Sequence, residues 1–244
     1  MGVALVTGAS SGIGAAIAIA FADVGWQVMA AGRDENRLAE VADASENIST
    51  WAGELAESED CDELVADTVE EFGAIDSLIN CAGIFVRGDV SETSDDDWRD
   101  TMSVNLDVTF FLSRAALPHL ISAEGSIVNI ASDWGIRGGE KAAAYCASKR
   151  GVILLTRAMA RDHALDGLRI NAVCPGDVDT PMLVRDAVEQ ELEVDEYLAR
   201  LADESPNGRL AEPADIAAIS LFLASESARH INGAVIPVDG GASA

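Results

Sequence analysis

Tyr145 and Lys149 stand four residues apart in the run Ala144-Tyr145-Cys146-Ala147-Ser148-Lys149, and Ser132 lies thirteen positions upstream of the tyrosine. On a helix this spacing places the phenol and the ammonium on one face, with β-carbons about 6 Å apart. A free tyrosine, with a pKa of about 10, is a poor base at neutral pH. A cation beside it favours loss of the phenolic proton, which is the tuning a general acid or base requires. Near the N-terminus, Gly8-Ala9-Ser10-Ser11-Gly12-Ile13-Gly14 can offer backbone N–H groups and a positive helix end to a pyrophosphate. Together these residues point to proton chemistry beside a nucleotide. Singly each has a plainer reading: a half-buried aromatic, a solvated charge, a capping serine, a turn that needs glycine.

Short apolar runs alternate with amphipathic segments along the chain, the pattern of βα units that build a parallel sheet covered on both faces. Strands are predicted at Val3 to Thr7, Gln27 to Ala31, Ile48 to Gly53, Ile75 to Asn80, Gly125 to Ala131, Arg169 to Cys174 and Ala234 to Val238. Helices are predicted at Gly12 to Val24, Glu35 to Asp43, Asp60 to Phe72, Ala142 to His163 and Pro213 to Ala224. A long helix is expected to run from the acidic cluster Glu92 to Asp97 through Leu120, the carboxylates complementing its N-terminal dipole. Thr180 to Ser205 reads as helical and charged. Right-handed crossovers restrict the topology to a Rossmann-like, doubly wound α/β sheet of seven strands in the order 3-2-1-4-5-6-7. Ligands in such sheets bind beyond the carboxyl ends of the strands, where Gly8, Asn80, Ser132 and Pro175 would gather. One domain over residues 1–244 is the expectation.

The 42 acidic residues outnumber the 16 lysines and arginines and give a formal net charge of −26, with a pI near 4.1. A polyanion would be repelled, and no basic stripe interrupts the acid, so nucleic acid is excluded as a partner. Only Lys141 and Lys149 are lysine. An acid-rich, lysine-poor surface suits a high-salt cytoplasm, where a Debye length of about 3 Å at 1 M screens self-repulsion. No signal segment and no apolar stretch long enough to span a bilayer is evident, so a cytoplasmic location is expected and no membrane partner. Cys61, Cys81, Cys146 and Cys174 form no Cys-x-x-Cys pair and read as structural thiols. His119, His163 and His230 lack ligand spacing, so no metal is expected. No Gly-x-Ser-x-Gly elbow for serine hydrolysis is present.

The set Thr7-Gly8-x-x-x-Gly12-x-Gly14, Asn80-Cys81-Ala82-Gly83, Asn105, Ser132, Tyr145-x-x-x-Lys149, Pro175-Gly176 and Thr180 resembles, in order and spacing, the short-chain dehydrogenase/reductase family over residues 3 to 241. The resemblance implies a tetrad of Asn105, Ser132, Tyr145 and Lys149. Tyr145 would exchange a proton with the substrate oxygen and Ser132 would polarise that oxygen. Lys149 would bind the nicotinamide ribose and favour phenolate, and Asn105 would hold a water of the proton relay. It further implies coenzyme contacts at Gly8, Ser10, Ser11, Gly12, Ile13, Gly14, Arg33, Glu54, Leu55, Asn80, Ala82, Gly83, Tyr145, Lys149, Pro175, Gly176, Val178 and Thr180. Residues 180–205 resemble the family's variable substrate lid, and a homotetramer packed through long helices is implied by analogy. Cys81 and Glu54 depart from the family pattern, which has asparagine and aspartate there.

The end of the second strand, Ala31-Gly32-Arg33-Asp34, bears on the coenzyme. A carboxylate at that place binds the ribose hydroxyls of NAD, whereas arginine accommodates the phosphate of NADP. Gly32 occupies the usual acidic position and Arg33 follows it, which favours NADP over NAD, with Asp34 available to NAD if the turn shifts. The reaction implied is hydride transfer between nicotinamide and a secondary alcohol or ketone, in an alcohol dehydrogenase or ketoreductase. A sugar, polyol, cyclic alcohol or 3-oxoacyl thioester is the expected substrate. Its contacts are expected at Ser132, Asp133, Trp134, Arg137, Tyr145 and Met182, with Phe85 near them and Arg137 able to meet an anionic group. A nucleotide-binding regulatory or scaffold protein that keeps the fold without turnover is the alternative.

Overall fold

Val3–Thr7 (β1) is buried at every residue, and its side chains alternate between two cores, Ala4 and Val6 in one and Leu5 in the other. That is what the two-residue period of a strand requires when both faces of the sheet are covered. The structure, a computed structural model, describes residues 2–244. After β1 come Gly12–Asp23 (α1), Gln27–Gly32 (β2), Glu35–Ala42 (α2), Ile48–Ala52 (β3), Ser58–Phe72 (α3) and Ser77–Asn80 (β4). Next are Asp95–Met102 (α4), a π-helical turn Ser103–Asp107, Val108–Ser122 (α5), Ser126–Ile130 (β5), Trp134–Arg137 (α6) and Ala143–Asp162 (α7). The chain closes through Arg169–Pro175 (β6), Pro181–Glu189 (α8), Val194–Glu204 (α9), Pro213–Ala224 (α10) and Val235–Val238 (β7).

The seven strands form one parallel sheet in the order β3-β2-β1-β4-β5-β6-β7, as the alternation of elements predicts. Ile17 and Phe21 of α1, Leu38 of α2 and Ile216 and Leu223 of α10 cover one face with Val6, Val28 and Val128. Leu64 of α3 and Leu112 and Leu120 of α5 cover the other with Leu5, Leu78 and Ile127. None of the described helices is long and apolar enough to cross a membrane.

Two expected helices differ from the sequence reading. The acidic cluster does not begin one helix at Glu92. Asp89 Oδ1 accepts the backbone N–H groups of Ser91 and Glu92 at 2.7 and 3.1 Å and folds that stretch into a turn. Ser94 is the N-cap instead, its Oγ accepting the N–H of Asp97 at 3.0 Å. The helix then widens into the π turn before continuing as α5. The lid also breaks: α8 stops at Glu189, Glu191 adopts a left-handed φ of 56°, and α9 starts at Val194. Carboxylates at Glu189, Glu191 and Glu193 oppose the negative end of α8, whereas Asp195 and Glu196 suit the positive end of α9. The short α6 directly after Ser132 was not anticipated from the sequence.

Candidate active site

Gly8, at the end of β1, has φ +66°, and a β-carbon there would sit 2.9 Å from the Ala82 backbone. A β-carbon on Gly14 would sit 2.3 Å from the carbonyl oxygen of Gly8. Glycine at these two positions therefore lets α1 close onto the strand end and brings the β1 and β4 loops into contact. Thr7 stitches the two loops together: its Oγ1 accepts the N–H groups of Cys81 and Ala82, both at 3.1 Å. This residue was not among the expected site residues, although the threonine before the first glycine was its signal.

The N-terminus of α1 has neither a capping side chain nor an acidic residue in its first turn. By contrast α3 and α10 carry capping boxes, and α2 and α4 are capped by Asp34 and Ser94. The positive end of α1 is thus left to the cleft, as a bound pyrophosphate would need. A cleft of about 1430 Å³ runs from there past β4, β5 and β6 to the lid. Eight of the 16 lysines and arginines line it, against eight of the 42 carboxylates, so it is the balanced part of a strongly acidic molecule.

Among the expected coenzyme residues, Gly8, Ser10, Ser11, Gly12, Ile13, Gly14, Arg33, Glu54, Leu55, Ala82, Gly83, Tyr145, Lys149, Pro175, Gly176, Val178 and Thr180 line this cleft. Asn80 does not. It is 5% exposed and turns inward, its Nδ2 donating to Ser113 Oγ at 3.2 Å and to Asn129 Oδ1 at 2.8 Å, so it ties β4 to α5 and β5. Asp34 caps α2 and pairs with Arg37 at 3.3 Å, while Arg33 is exposed and has no ion pair among the described residues.

Ser132, Tyr145 and Lys149 come together in the wall of the cleft. Lys149 is 5% exposed, its Nζ donating to the Ile130 carbonyl at 2.9 Å and lying 5.8 Å from the centroid of the Tyr145 ring. Burial pushes the Lys149 pKa down to about 8. Burial pushes the Tyr145 phenol up to about 12, although the Ser132 hydroxyl acts to lower it. Desolvation is the largest influence on the phenol, and the Lys149 ammonium is directed at the carbonyl that ends β5.

Asn105, in the π turn, is 1% exposed. Its Oδ1 accepts the Ile84 N–H at 2.8 Å, and its Nδ2 donates to the Ile84 carbonyl and to Ser148 Oγ, each at 3.0 Å. These bonds fasten the loop after β4 to α7. A β-carbon on Gly83 would lie 3.2 Å from Asn105 Oδ1 and 3.3 Å from Lys149 Nζ, so this loop packs between them.

On the substrate side, Phe85, Trp134 and Tyr145 meet edge to face with centroids 5.2–6.2 Å apart. Ser132 Oγ accepts the Trp134 N–H at 3.1 Å and donates to Asp133 Oδ1 at 3.3 Å. Arg137, expected to be able to meet an anionic group, donates its Nε to Asp133 Oδ2 at 2.8 Å. Met182, 37% exposed, lines the cleft at the start of α8.

A family model described as Enoyl-(Acyl carrier protein) reductase matches residues 8–243. The chain is 43% identical over 244 residues to a meso-2,3-butanediol dehydrogenase of Serratia marcescens, covering 99% of this chain and 94% of that one. Among solved structures, an actinorhodin polyketide ketoreductase with NADPH matches at TM-score 0.94 and 33% identity, over 99% of this chain and 97% of that one. A 3-ketoacyl-(acyl-carrier-protein) reductase from Brucella melitensis complexed with NADH matches at TM-score 0.91 and 28% identity, covering 100% and 98%. With its parallel sheet, glycine loop and Ser132-Tyr145-Lys149 cluster, the chain belongs to the short-chain dehydrogenase/reductase family of NAD(P)-dependent oxidoreductases.

Proposed function

We propose that this protein interconverts a small secondary alcohol and its ketone, using NADP in preference to NAD. The observation that carries the reading is the convergence of Ser132, Tyr145 and Lys149 in the same cleft that the uncapped N-terminus of α1 lines. Bound nicotinamide coenzyme would take or give the hydride. Ser132 Oγ hydrogen-bonds the substrate oxygen, and Tyr145 Oη donates its proton as the phenol when a ketone is reduced and accepts one as the phenolate when an alcohol is oxidised. Lys149 holds its charge beside the coenzyme ribose, and Asn105 fixes the loop that faces it. Arg33, exposed and without an ion pair, supports NADP, because a phosphate on the adenosine ribose would give it a partner.

The reading extends to a cytoplasmic, salt-adapted homotetramer. The acid excess supports salt adaptation. Exposed Phe110 and Leu154, on α5 and α7, support assembly through those helices. Tyr145→Phe tests the chemistry. Turnover followed by nicotinamide absorbance is expected to fall about 10²–10⁴-fold while the coenzyme still binds, and turnover near the wild-type level refutes the assignment.

A further inference from the structure

We infer that Asp133 is a substrate-binding residue that selects vicinal diols and their α-hydroxyketones, by accepting the hydroxyl next to the reacting carbon. The inference rests on the alcohol-oxidising reading above and narrows its substrate class.

Asp133 is 3% exposed, yet it lines the cleft immediately beside Ser132. Its two oxygens have separate partners: Arg137 Nε holds Oδ2 at 2.8 Å, and the Ser132 hydroxyl donates to Oδ1 at 3.3 Å. Ser132 Oγ already accepts the Trp134 N–H and has a single proton to give. When that proton turns to the substrate oxygen, Oδ1 loses its hydrogen-bond donor and is left a buried, unpaired acceptor, an unfavourable state. A second hydroxyl on the adjacent carbon supplies the missing donor. One substrate then accepts from Ser132 and donates to Asp133 with two neighbouring oxygens. A simple secondary alcohol leaves Oδ1 unpaired.

The surroundings fit a small uncharged diol. Phe85 and Trp134 give an apolar wall next to Tyr145, suited to short alkyl ends. Asp177 lines the same cleft, and burial and the Asp133 charge push its carboxyl pKa up, so like charges already crowd the site. Arg137 spends its Nε on Asp133, and an anionic substrate beside Ser132 would meet the carboxylates of Asp133 and Asp177. In the reaction itself the carbinol C–H leaves as hydride to the oxidised coenzyme, the O–H proton passes to the phenolate form of Tyr145, which becomes the neutral phenol, and the C=O bond forms. The neighbouring C–OH is untouched and stays on Asp133.

The test compares kcat/KM for the stereoisomers of butane-2,3-diol, for butan-2-ol and for the anion 3-hydroxybutanoate, with the full chain and saturating coenzyme. The best diol isomer is expected to exceed butan-2-ol by at least about tenfold, since a site built for a substrate hydroxyl rejects the analogue lacking it. The anion is expected to be the poorest. In Asp133→Ala the diol-to-butan-2-ol ratio should fall to within about threefold of unity. In Asp133→Asn, which keeps the shape and one carbonyl acceptor, it should be intermediate. The ratio is independent of how much active protein each variant yields. Equal turnover of diol and butan-2-ol by the wild type, or an unchanged ratio in Asp133→Ala, overturns the role of Asp133 and leaves alcohol oxidation standing. No turnover of any of these alcohols, with coenzyme bound, overturns both.

Discussion

Arg87 and Asp186, 99 residues apart, share two hydrogen bonds, Nε to Oδ1 at 2.9 Å and Nη2 to Oδ2 at 2.7 Å. The Tyr197 hydroxyl donates to the same carboxylate, and the Arg87 guanidinium lies 5.5 Å from the Phe85 ring centroid. One carboxylate, 3% exposed, therefore fastens the loop after β4 to both lid helices, α8 and α9. Burial pushes the Asp186 pKa up, but hydrogen bonds from Arg87 and Tyr197 outweigh it and hold the carboxyl below its ordinary value. Because the folded value is depressed, this stabilisation is complete above the unfolded pKa of about 4 and is lost only as pH falls through the folded one. Removing one partner of a buried pair costs about 3–5 kcal/mol, and the partial exposure of Arg87 places this pair at the lower end. Arg87→Ala should loosen the lid, raising substrate KM by about tenfold or more and speeding proteolysis between residues 181 and 204. An unchanged KM and digestion pattern would show that the lid is held elsewhere.

The pH behaviour follows from Tyr145 and Lys149, which burial shifts in opposite directions, to about 12 and about 8. With a phenol protonated across the neutral range, ketone reduction has its proton donor ready and alcohol oxidation does not. Oxidation is expected to accelerate with rising pH while reduction slows. Above pH of about 8 Lys149 loses its charge in the coenzyme-free protein, so kcat/KM for the coenzyme should decline there. Initial rates in both directions between pH 6 and 10 check this. Parallel profiles for oxidation and reduction would contradict it.

The strand order was legible because βα alternation and crossover handedness leave few alternatives, and the Tyr145–Lys149 face was legible because a spacing of four on a helix fixes it. What was hidden depends on where a side chain turns after the backbone is set. Asn80 and Asn105 sit at the expected places in the chain, yet Asn80 points under the sheet and the Asn105 amide is consumed by Ile84 and Ser148. The break after Glu189 and the turn at Asp89 were obscured because carboxylates serve equally as helix starters and as turn formers. The clamp from Arg87 to Asp186 spans 99 residues, and no local pattern announces it.

Coenzyme choice turns on Gly32 and Arg33. A β-carbon on Gly32 would lie 3.1 Å from Ser10 Cβ, so an acidic residue fits there only if Ser10 gives way. Asp34 is engaged with the N-terminus of α2 and with Arg37. Arg33 alone among these charges has no partner among the described residues. Arg33→Ala should raise the Kd for NADP by about tenfold or more, the scale of one lost charge-assisted contact, and change the Kd for NAD by less than about twofold. Calorimetric titration of both coenzymes decides. Tighter NAD than NADP binding by the unaltered protein would reverse the assignment.

Salt dependence is expected to be large because the repulsion has few internal remedies. Lys149 is buried and Lys141 is paired with Glu92 at 3.0 Å, while half of all cationic side chains lie in the cleft. Elsewhere the acids face one another, as in α4, where Asp95 and Asp96 are 89% and 90% exposed and share one arginine, Arg99. Solvent ions must therefore supply most of the screening, which at 1 M salt shortens the interaction range to about 3 Å. Each kcal/mol of repulsion relieved raises Tm by roughly 2–4 °C for a chain of this size. Melts in molar KCl should exceed those in dilute buffer by several degrees, with the gap shrinking as pH is lowered towards the pI and carboxylates are neutralised. The pH dependence separates charge screening from a general salting-out effect, which would persist when the net charge is gone.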